Sequence, residues 1–202
     1  MTTWLHEERF AGVMQVLQSA RVQSVLDLGC GSGDFLLPLA RQDWISRVVG
    51  VEQAAGPLMR LRAEVARLAE PVRTKVKIVE GSVLDPAVRA GLRFDAVVMI
   101  EVIEHLEPQH LSLLEAAIFA PPAPGLVLIT TPNADFNHLL GVPPNRFRHP
   151  GHRFEWGRAR FANWARGVAD RAGCGVSHED LGGRHPDFGG ASQMAVFVRS
   201  IG

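Results

Sequence analysis

The sequence predicts a doubly wound α/β fold, in which helices cover both faces of a mostly parallel sheet. Three observations indicate this fold. Segments with strand character and helix character alternate along the chain. The run 94–100 is nearly all apolar, which is typical of a central parallel strand. A glycine-rich turn at 29–33 joins the first strand to the next helix, as it does at the cofactor end of such sheets.

The elements follow one another regularly as far as residue 131. Strands are expected at 24–28, 47–51, 76–79, 94–100, 126–130 and 194–198, and helices at 5–20, 34–42, 56–69, from about 105 to 119, and at 157–172. Residues 132–153 are rich in Pro, Asn, Gly and Arg and break the alternation, so we expect an irregular loop there. A loop of that length is usually functional or disordered.

The composition restricts the class of protein. With 202 residues, of which 47% are hydrophobic, the chain is long enough for one domain with a buried core. The 21 basic and 21 acidic residues balance, which argues against a large non-specific nucleic-acid surface. No apolar run is as long as a membrane span, no secretory signal begins the chain, and two cysteines are too few for a disulfide framework. We therefore expect a cytoplasmic protein without membrane association.

The run Asp27–Gly33, Asp-Leu-Gly-Cys-Gly-Ser-Gly, is the first chemical signal. Its glycines let the backbone approach a ligand closely at the carboxyl end of the sheet. Glu52 ends the next strand, where a carboxylate can accept hydrogen bonds from both hydroxyls of a ribose. This arrangement is shared by NAD and S-adenosylmethionine sites, but the spacing after Gly33 does not match the dinucleotide pattern Gly-x-Gly-x-x-Gly.

The segment Glu101-Val-Ile-Glu104-His105 is the second signal, directly after the fourth strand. If it is helical, positions i, i+3 and i+4 lie on one face, and two carboxylates and an imidazole point to one place. Such ligands suit Mg²⁺ or Mn²⁺, and the imidazole favours Mn²⁺. The same residues could instead position a substrate or cap a helix without any metal.

The glycine run closely resembles motif I of class I methyltransferases. The resemblance implies a Rossmann-like, mostly parallel seven-stranded sheet with helices on both faces, and S-adenosylmethionine as cofactor. The expected cofactor-binding residues are Asp27, which would orient the methionine end, together with Gly29, Gly31, Glu52, Ser82 and Val83. Ser82 and Val83 match the positions at which the family meets the adenine.

Across nearly the whole chain, three further motifs resemble the methyltransferase domain of the Hen1 family. They are Glu101-x-x-Glu104-His105, Thr131-Pro-Asn133 and His152-Arg-Phe-Glu-Trp156, followed by Gly189-Gly-Ala-Ser-Gln193 near the end. That family methylates the 2′-hydroxyl of the 3′-terminal nucleotide of RNA. The resemblance implies a metal held by catalytic residues Glu101, Glu104, His105 and His152. The family usually has Asp just before the last of these histidines, where this chain has Gly151, and that Asp is a candidate for orienting the histidine.

Other conspicuous residues receive structural interpretations. His149 is expected to be a surface histidine, although it or His105 could accept a proton if no metal occupies it. Six arginines are expected to meet only the last few phosphates of the RNA: Arg146, Arg148, Arg153, Arg158, Arg160 and Arg166. Trp156, Phe161 and Trp164 are expected to pack the last helix, and Phe136 and Phe147 are looser candidates for stacking on a base. His6 and Arg9 could contact cofactor or RNA but are expected to be solvent-exposed, and Cys30 is expected to be a small filler rather than a nucleophile.

The chain is thus expected to be a single methyltransferase domain, 1–202, with an irregular active-site insertion at about 132–156, and to be catalytically active as a monomer. Its expected partner is the single-stranded 3′ end of RNA, with a kinase–phosphatase repair protein as a candidate second partner. Small regulatory RNA, piRNA-like RNA and toxin-cleaved tRNA all carry the required terminal diol. Two alternatives stay open at this point: a metal-free methyltransferase for a small phenolic or quinone-like substrate, and a module that binds S-adenosylmethionine without catalysis.

Overall fold

The computed structural model describes residues 4–89 and 92–199 and shows a seven-stranded mixed sheet. The strands are β1 (Ser24–Leu28), β2 (Arg47–Glu52), β3 (Val76–Glu80), β4 (Ala96–Ile100), β5 (Leu126–Pro132), β6 (Gly175–Leu181) and β7 (Ser192–Val198). Their spatial order is β3-β2-β1-β4-β5-β7-β6. The first five strands pair in parallel, and β7 is antiparallel to both β5 and β6. The predicted fold class is therefore confirmed.

Six α-helices accompany these strands in the described part of the chain. They are α1 (Trp4–Ser19), α2 (Leu36–Ala40), α3 (Ala55–Ala66), α4 (Glu70–Arg73), α5 (Leu111–Phe119) and α6 (Arg158–Ala172). No helix among the described residues is long and apolar enough to cross a bilayer. All six predicted strands begin within two residues of their predicted starts, as do α1, α2, α3 and α6.

Two apolar layers pack on opposite faces of the sheet because successive strand residues point to opposite sides. Val25 and Val98 face the layer formed with α1, α2 and α3, which includes Leu17 and Leu61. Leu26 and Met99 face the layer formed with α5 and α6, which includes Phe161. These fully buried side chains fix the positions of the strand ends that carry the functional residues.

The polar edge strand β6 was not predicted from the sequence. Its residues read Gly-Val-Ser-His-Glu-Asp-Leu, and most of them are exposed because β6 lies at the edge of the sheet. A charged, exposed edge strand lacks the apolar pattern by which strands are recognised and also discourages pairing with other chains.

The predicted start of the helix near His105 is wrong as well. The backbone there forms two short 3₁₀ turns, Ile103–His105 and Pro108–His110, and α5 begins at Leu111.

The glycine turn after β1 is held against the segment that follows β4. Gly29 has a φ of +80°, and a Cβ atom on it would lie 2.6 Å from Cγ2 of Val102. The amides of Gly29 and Cys30 both donate to the carbonyl of Val51, at 2.8 and 3.1 Å. A glycine is therefore required at position 29 both for the backbone angle and for the close approach of the two loops.

Replacing Gly29 with Ala is expected to destabilise the protein more than replacing Gly31 with Ala. Both positions have positive φ, but a Cβ on Gly31 would meet no atom within 4 Å. The extra loss at Gly29 should be about 1–3 kcal/mol, the usual cost of overpacking. Urea denaturation of the cofactor-free proteins measures the two losses. Equal losses would show that Val102 does not crowd this turn.

Candidate functional site

The glycine turn forms one side of a cleft at the carboxyl end of the parallel strands, and Glu52 at the end of β2 is hydrogen-bonded to this turn. Oε2 of Glu52 accepts a hydrogen bond from the Gly31 amide at 3.0 Å. Oε1 of Glu52 accepts from the amides of Gln53 and Ala54, at 2.9 and 2.7 Å, just before α3 begins. The carboxylate therefore ties the turn to α3, and its remaining lone pairs can accept hydrogen bonds from ligand hydroxyls.

The cleft has a volume of about 260 Å³ and is lined by Asp27, Gly29 and Gly31 of the predicted cofactor-binding set. Glu52, Ser82 and Val83 are not among its lining residues. Oγ of Ser82 accepts from the Leu84 amide at 3.2 Å, and Val83 is buried in the apolar layer on the side of α5 and α6. Glu52 is the last residue of β2, and Ser82 and Val83 follow β3, so all three lie at the same end of the sheet as the cleft.

Asp27 and Cys30 are two buried titratable groups of this cleft whose pKa values are raised. Burial, with a smaller contribution from the charge of Glu52, raises the pKa of Asp27 to about 7. Burial also raises the pKa of the Cys30 thiol, so the thiolate is disfavoured and Cys30 is unsuited to act as a nucleophile. An ionised Asp27 becomes favourable when a cationic ligand group lies beside it.

Glu101 leaves β4 in a strained conformation that breaks any helix. Its φ is +56°, so Glu101, Glu104 and His105 do not share one face of an α-helix as predicted. The Glu101 amide instead donates to Oγ1 of Thr130, at 3.1 Å, and Oγ1 of Thr130 donates to Glu101 Oε1 at 3.0 Å. This exchange with the neighbouring strand β5 turns the Glu101 carboxylate toward the cleft, where it is a lining group. Strained residues of this kind are found mostly at functional sites.

Glu104 has no exposed surface and is incompletely satisfied. Its Oε2 accepts from Oγ1 of Thr131 at 3.0 Å, whereas Oε1 has no hydrogen-bond partner among the described residues. Burial, and secondarily the charge of Glu101, raises the pKa of Glu104 well above its ordinary value. A buried carboxylate oxygen without a partner is costly, and a proton or a bound cation would satisfy it.

Two of the predicted histidine ligands are oriented by second partners. Nδ1 of His105 donates to the carbonyl of Gly151 at 3.2 Å, and Nδ1 of His152 donates to Oε1 of Glu155 at 2.5 Å. Burial opposes ionisation of Glu155, but hydrogen bonds from His152, Asn137 and the Arg148 amide lower its pKa overall. Because Nδ1 carries the proton in each histidine, Nε2 keeps a lone pair that can bind a metal.

A backbone hydrogen bond brings the segments that carry His105 and His152 together. The amide of Arg153, next to His152, donates to the carbonyl of Glu104, next to His105, at 2.7 Å. The rings of His105 and His152 have centroids 4.8 Å apart. Within residues 4–89 and 92–199, one group of side chains approaches closely enough to share an ion, namely His105, His149 and His152, with their ligand atoms within 4.8 Å of one another. Glu101 and Glu104 lie outside that group, so the four-residue ligand set stays a prediction.

The chemistry of these donors fits a hard or borderline divalent cation. Carboxylate oxygens and imidazole nitrogens together suit Mn²⁺ or Mg²⁺ better than softer metals. Such an ion could bind Oε1 of Glu104, which has no partner among the described residues. It could also bind Nε2 of His105 and of His152, because their Nδ1 atoms are held by second partners.

Arg9 is a site residue that the sequence analysis placed in solvent. It is buried, and its Nε lies 3.3 Å from Oε1 of Glu101. Nε and Nη2 also donate to Oγ of Ser192, at 3.1 and 2.9 Å. The spacing of Arg9, Val13 and Leu17, the three buried residues of α1, could have indicated this burial, because residues four apart lie on one helix face.

The predicted insertion is held in place by buried polar contacts. Nδ2 of Asn133 donates to the carbonyls of Phe188 and Gly190, at 2.7 and 2.8 Å. Nε2 of Gln193 donates to the carbonyls of Pro132 and Trp156, at 3.2 and 2.7 Å. The Thr-Pro-Asn motif and the tail Gln thus fix the two ends of the segment that carries His152.

Arg148, which was expected to contact RNA phosphates, is hydrogen-bonded within the protein instead. It donates to the carbonyls of Ala191 and Asn133 and to Oδ1 of Asn137, so it braces the insertion. Arg153 pairs with Glu107, and Arg158 with Asp180.

The aromatic residues that the sequence singled out differ in their exposure. Trp156 and Phe161 are buried as predicted, and Trp164 contacts both rings. Phe136 is also buried, so the interpretation of it as a base-stacking residue is wrong, whereas Phe147 is 48% exposed. Phe136 packs close to Gly183, since its Cζ atom would lie 3.7 Å from a Cβ atom on that glycine.

Together, the strand order, the glycine turn and Glu52 define a class I S-adenosylmethionine-dependent methyltransferase domain. The family described as "Methyltransferase domain" matches residues 1–179.

Individual relatives define the family more narrowly. The chain is 35% identical to the small RNA 2′-O-methyltransferase of Xenopus tropicalis, over 97% of this chain and 55% of the relative. It is 32% identical to the enzyme of the same name from Drosophila melanogaster, over 96% of this chain and 54% of the relative. The solved methyltransferase domain of bacterial-CtHen1-CN is 32% identical, with a TM-score of 0.85, and the match covers 96% of this chain and 99% of that domain. The chain belongs to the Hen1 family of methyltransferase domains, and it spans about half the length of the curated relatives it matches.

Replacing Asp27 with Asn is expected to stabilise the cofactor-free protein more at pH 8 than at pH 5. Asp27 ionises around its ordinary pKa of 3.8 in the unfolded chain but only at about 7 in the folded protein. The folded state therefore holds the extra proton between these values, and the free energy of unfolding falls as the pH rises through this window. Asn titrates in neither state, so the stabilisation should grow by about 2–3 kcal/mol between the two pH values. Thermal melts at both pH values measure it, and an equal effect at pH 5 and pH 8 would contradict the burial of an acid here.

Proposed function

We propose that this domain transfers the methyl group of S-adenosylmethionine to the 2′-hydroxyl of the 3′-terminal nucleotide of RNA, with the help of a divalent cation. The observation that carries the RNA acceptor is the likeness of nearly the whole chain to small RNA 2′-O-methyltransferases. The observation that supports the cation is the buried Oε1 of Glu104, which has no hydrogen-bond partner among the described residues.

The cofactor would lie in the cleft at the end of β1 and β2. S-adenosylmethionine supplies an electrophilic methyl group on its sulfonium. Asp27 would bind the cationic end of the cofactor, which favours the ionised carboxylate. Glu52 would accept hydrogen bonds from ribose hydroxyls, because its carboxylate is already oriented by the Gly31 and Ala54 amides. The backbone of Gly29 and Gly31 gives the ligand close access to the turn.

The acceptor would be activated next to that cleft. A divalent ion held by Glu101, Glu104, His105 and His152 would act as a Lewis acid that lowers the pKa of a ribose hydroxyl. Gly151 and Glu155 hold the imidazoles of His105 and His152 in the tautomer that leaves Nε2 available. Thr131 fixes one oxygen of Glu104, and Arg9 and Thr130 fix Glu101, so the four side chains are held before any ligand arrives.

A terminal diol explains how a neutral protein can select the end of an RNA. Two neighbouring ribose oxygens are available together at the 3′-terminal nucleotide, because every internal 3′-oxygen is esterified. Selection by the diol needs few phosphate contacts, in keeping with the zero net charge and with the internal partners of Arg148, Arg153 and Arg158.

Substituting Gln for Glu104 is expected to reduce methyl transfer by roughly a hundredfold or more and to weaken Mn²⁺ binding, because a neutral amide is a poor ligand for the ion. S-adenosylmethionine binding should be nearly unchanged. Glu107→Gln is a matched control, since Glu107 lies three residues away and pairs with Arg153 outside the ligand set. Transfer assays with and without EDTA, together with calorimetric titration of Mn²⁺, measure both properties. Undiminished activity of Glu104→Gln in EDTA would reject the metal and favour a metal-free methyltransferase.

The chemistry of the RNA end is expected to decide whether it is a substrate. A short single-stranded RNA ending in a 2′,3′-diol should be methylated, whereas ends with 2′-deoxyribose or a 3′-phosphate should not, because the first lacks the nucleophile and the second blocks the diol. Labelled methyl groups should map to the last nucleotide. Efficient labelling of the 2′-deoxy end would contradict ribose methylation, and labelling of internal nucleotides would contradict 3′-terminal specificity.

A further inference from the structure

His149 lies beside the predicted metal ligands, although it is not one of them. Its ring centroid is 5.5 Å from that of His105 and 5.4 Å from that of His152. One ligand atom of His149 lies within 4.8 Å of those of the other two histidines. The side chain is exposed, so a bound molecule can reach it. An isolated surface histidine, as the sequence analysis expected, would have no such neighbours.

Gly151 makes this position possible. A Cβ atom on Gly151 would lie 3.0 Å from Nδ1 of His149 and 3.2 Å from Nδ1 of His105. Any side chain at this position would crowd both rings. The glycine of this chain therefore lets the His149 ring fold back toward His105 and His152.

The hydrogen bonds of the three histidines assign different roles to them. Nδ1 of His149 accepts a hydrogen bond from the Gly151 amide at 3.0 Å. In a neutral imidazole the other nitrogen then carries the proton, so Nε2 of His149 is a donor. His105 and His152 are the reverse, since their Nδ1 atoms face a carbonyl and a carboxylate. His149 thus offers an N–H group, whereas the other two offer lone pairs.

Two arginines that lie near His149 in the sequence, Arg148 and Arg153, already have partners within the protein. Arg148 donates to the carbonyls of Ala191 and Asn133, and Arg153 pairs with Glu107. The non-bridging oxygens of a phosphodiester are acceptors only, and they match a donor such as the Nε2–H of His149. The ribose hydroxyls would be engaged by the ion, which leaves the adjoining phosphate for His149.

We propose that His149 binds the last phosphodiester of the acceptor RNA through Nε2–H, and that it is neither a metal ligand nor the group that accepts the 2′-hydroxyl proton. The inference rests on the proposed function and adds to it a contact that positions the terminal nucleotide over the ion. The proposed contact depends on Gly151, which leaves room for the His149 ring.

The test combines substitutions at His149 with RNAs whose last linkage is either a phosphodiester or a methylphosphonate, each diastereomer being used separately. His149→Ala should raise the KM for ordinary RNA about tenfold, as expected for a lost hydrogen bond to a charged group. His149→Gln, whose amide nitrogen can replace Nε2–H, should recover part of this loss. In the unsubstituted protein one methylphosphonate should raise KM similarly, and in His149→Ala it should cause no further increase. His138→Ala, an exposed histidine of the same insertion, is the control and should leave KM unchanged.

Mn²⁺ binding tests whether His149 is a metal ligand. Titration of Mn²⁺ followed by electron paramagnetic resonance should give the same dissociation constant within twofold for His149→Ala and the unsubstituted protein, whereas His105→Ala should bind more weakly. A tenfold loss of Mn²⁺ affinity in His149→Ala would make it a ligand and overturn the proposal. An unchanged KM, or equal additional losses with methylphosphonate in both proteins, would also overturn it. If the unsubstituted protein fails to methylate diol-ended RNA, the proposed function itself is wrong.

Discussion

The buried carboxylate of Glu104 is the constraint on which the site depends. Removing a carboxylate from water is costly unless its oxygens are satisfied, and Thr131 satisfies one of the two. The second needs a proton or a cation, and the nearby charge of Glu101 increases that need. A fold that keeps a buried carboxylate under the electrostatic influence of a second one, which lines the cleft, is suited to binding a positive charge beside them.

The remaining features of the site follow from bringing nitrogen ligands to these carboxylates. The Arg153 amide bonds to the Glu104 carbonyl and thereby carries His152 to His105. The insertion that makes this contact is anchored by Asn133 and Gln193, whose amides bond buried carbonyls on both of its sides. Helix α1 closes the arrangement, since Arg9 joins Glu101 to Ser192 at the start of β7. Segments far apart in sequence are therefore fixed at one end of the sheet, which is where ligands bind in doubly wound folds.

The sequence predicts the parts of the fold that depend on local patterns. The apolar runs identify β1, β2, β4 and β5, and Asp27–Gly33 with Glu52 identifies the cofactor turn, because apolar periodicity and glycine spacing are visible without the tertiary structure. Strand β6 is missed because an exposed edge strand has no such pattern. The burial of Arg9 and the backbone angle of Glu101 depend on contacts with β7 and β5. The position of His149 depends on the space beside Gly151, which only the folded chain reveals.

The most direct test of the site is the position of the cation itself. Crystals grown with Mn²⁺ and S-adenosylhomocysteine, measured at the manganese absorption edge, would show an anomalous peak wherever the ion binds. We expect one peak within bonding distance of Glu101, Glu104, His105 and His152, next to the sulfur of the cofactor product. A peak held by the three histidines without either glutamate, or an ordered site with no peak, would contradict it.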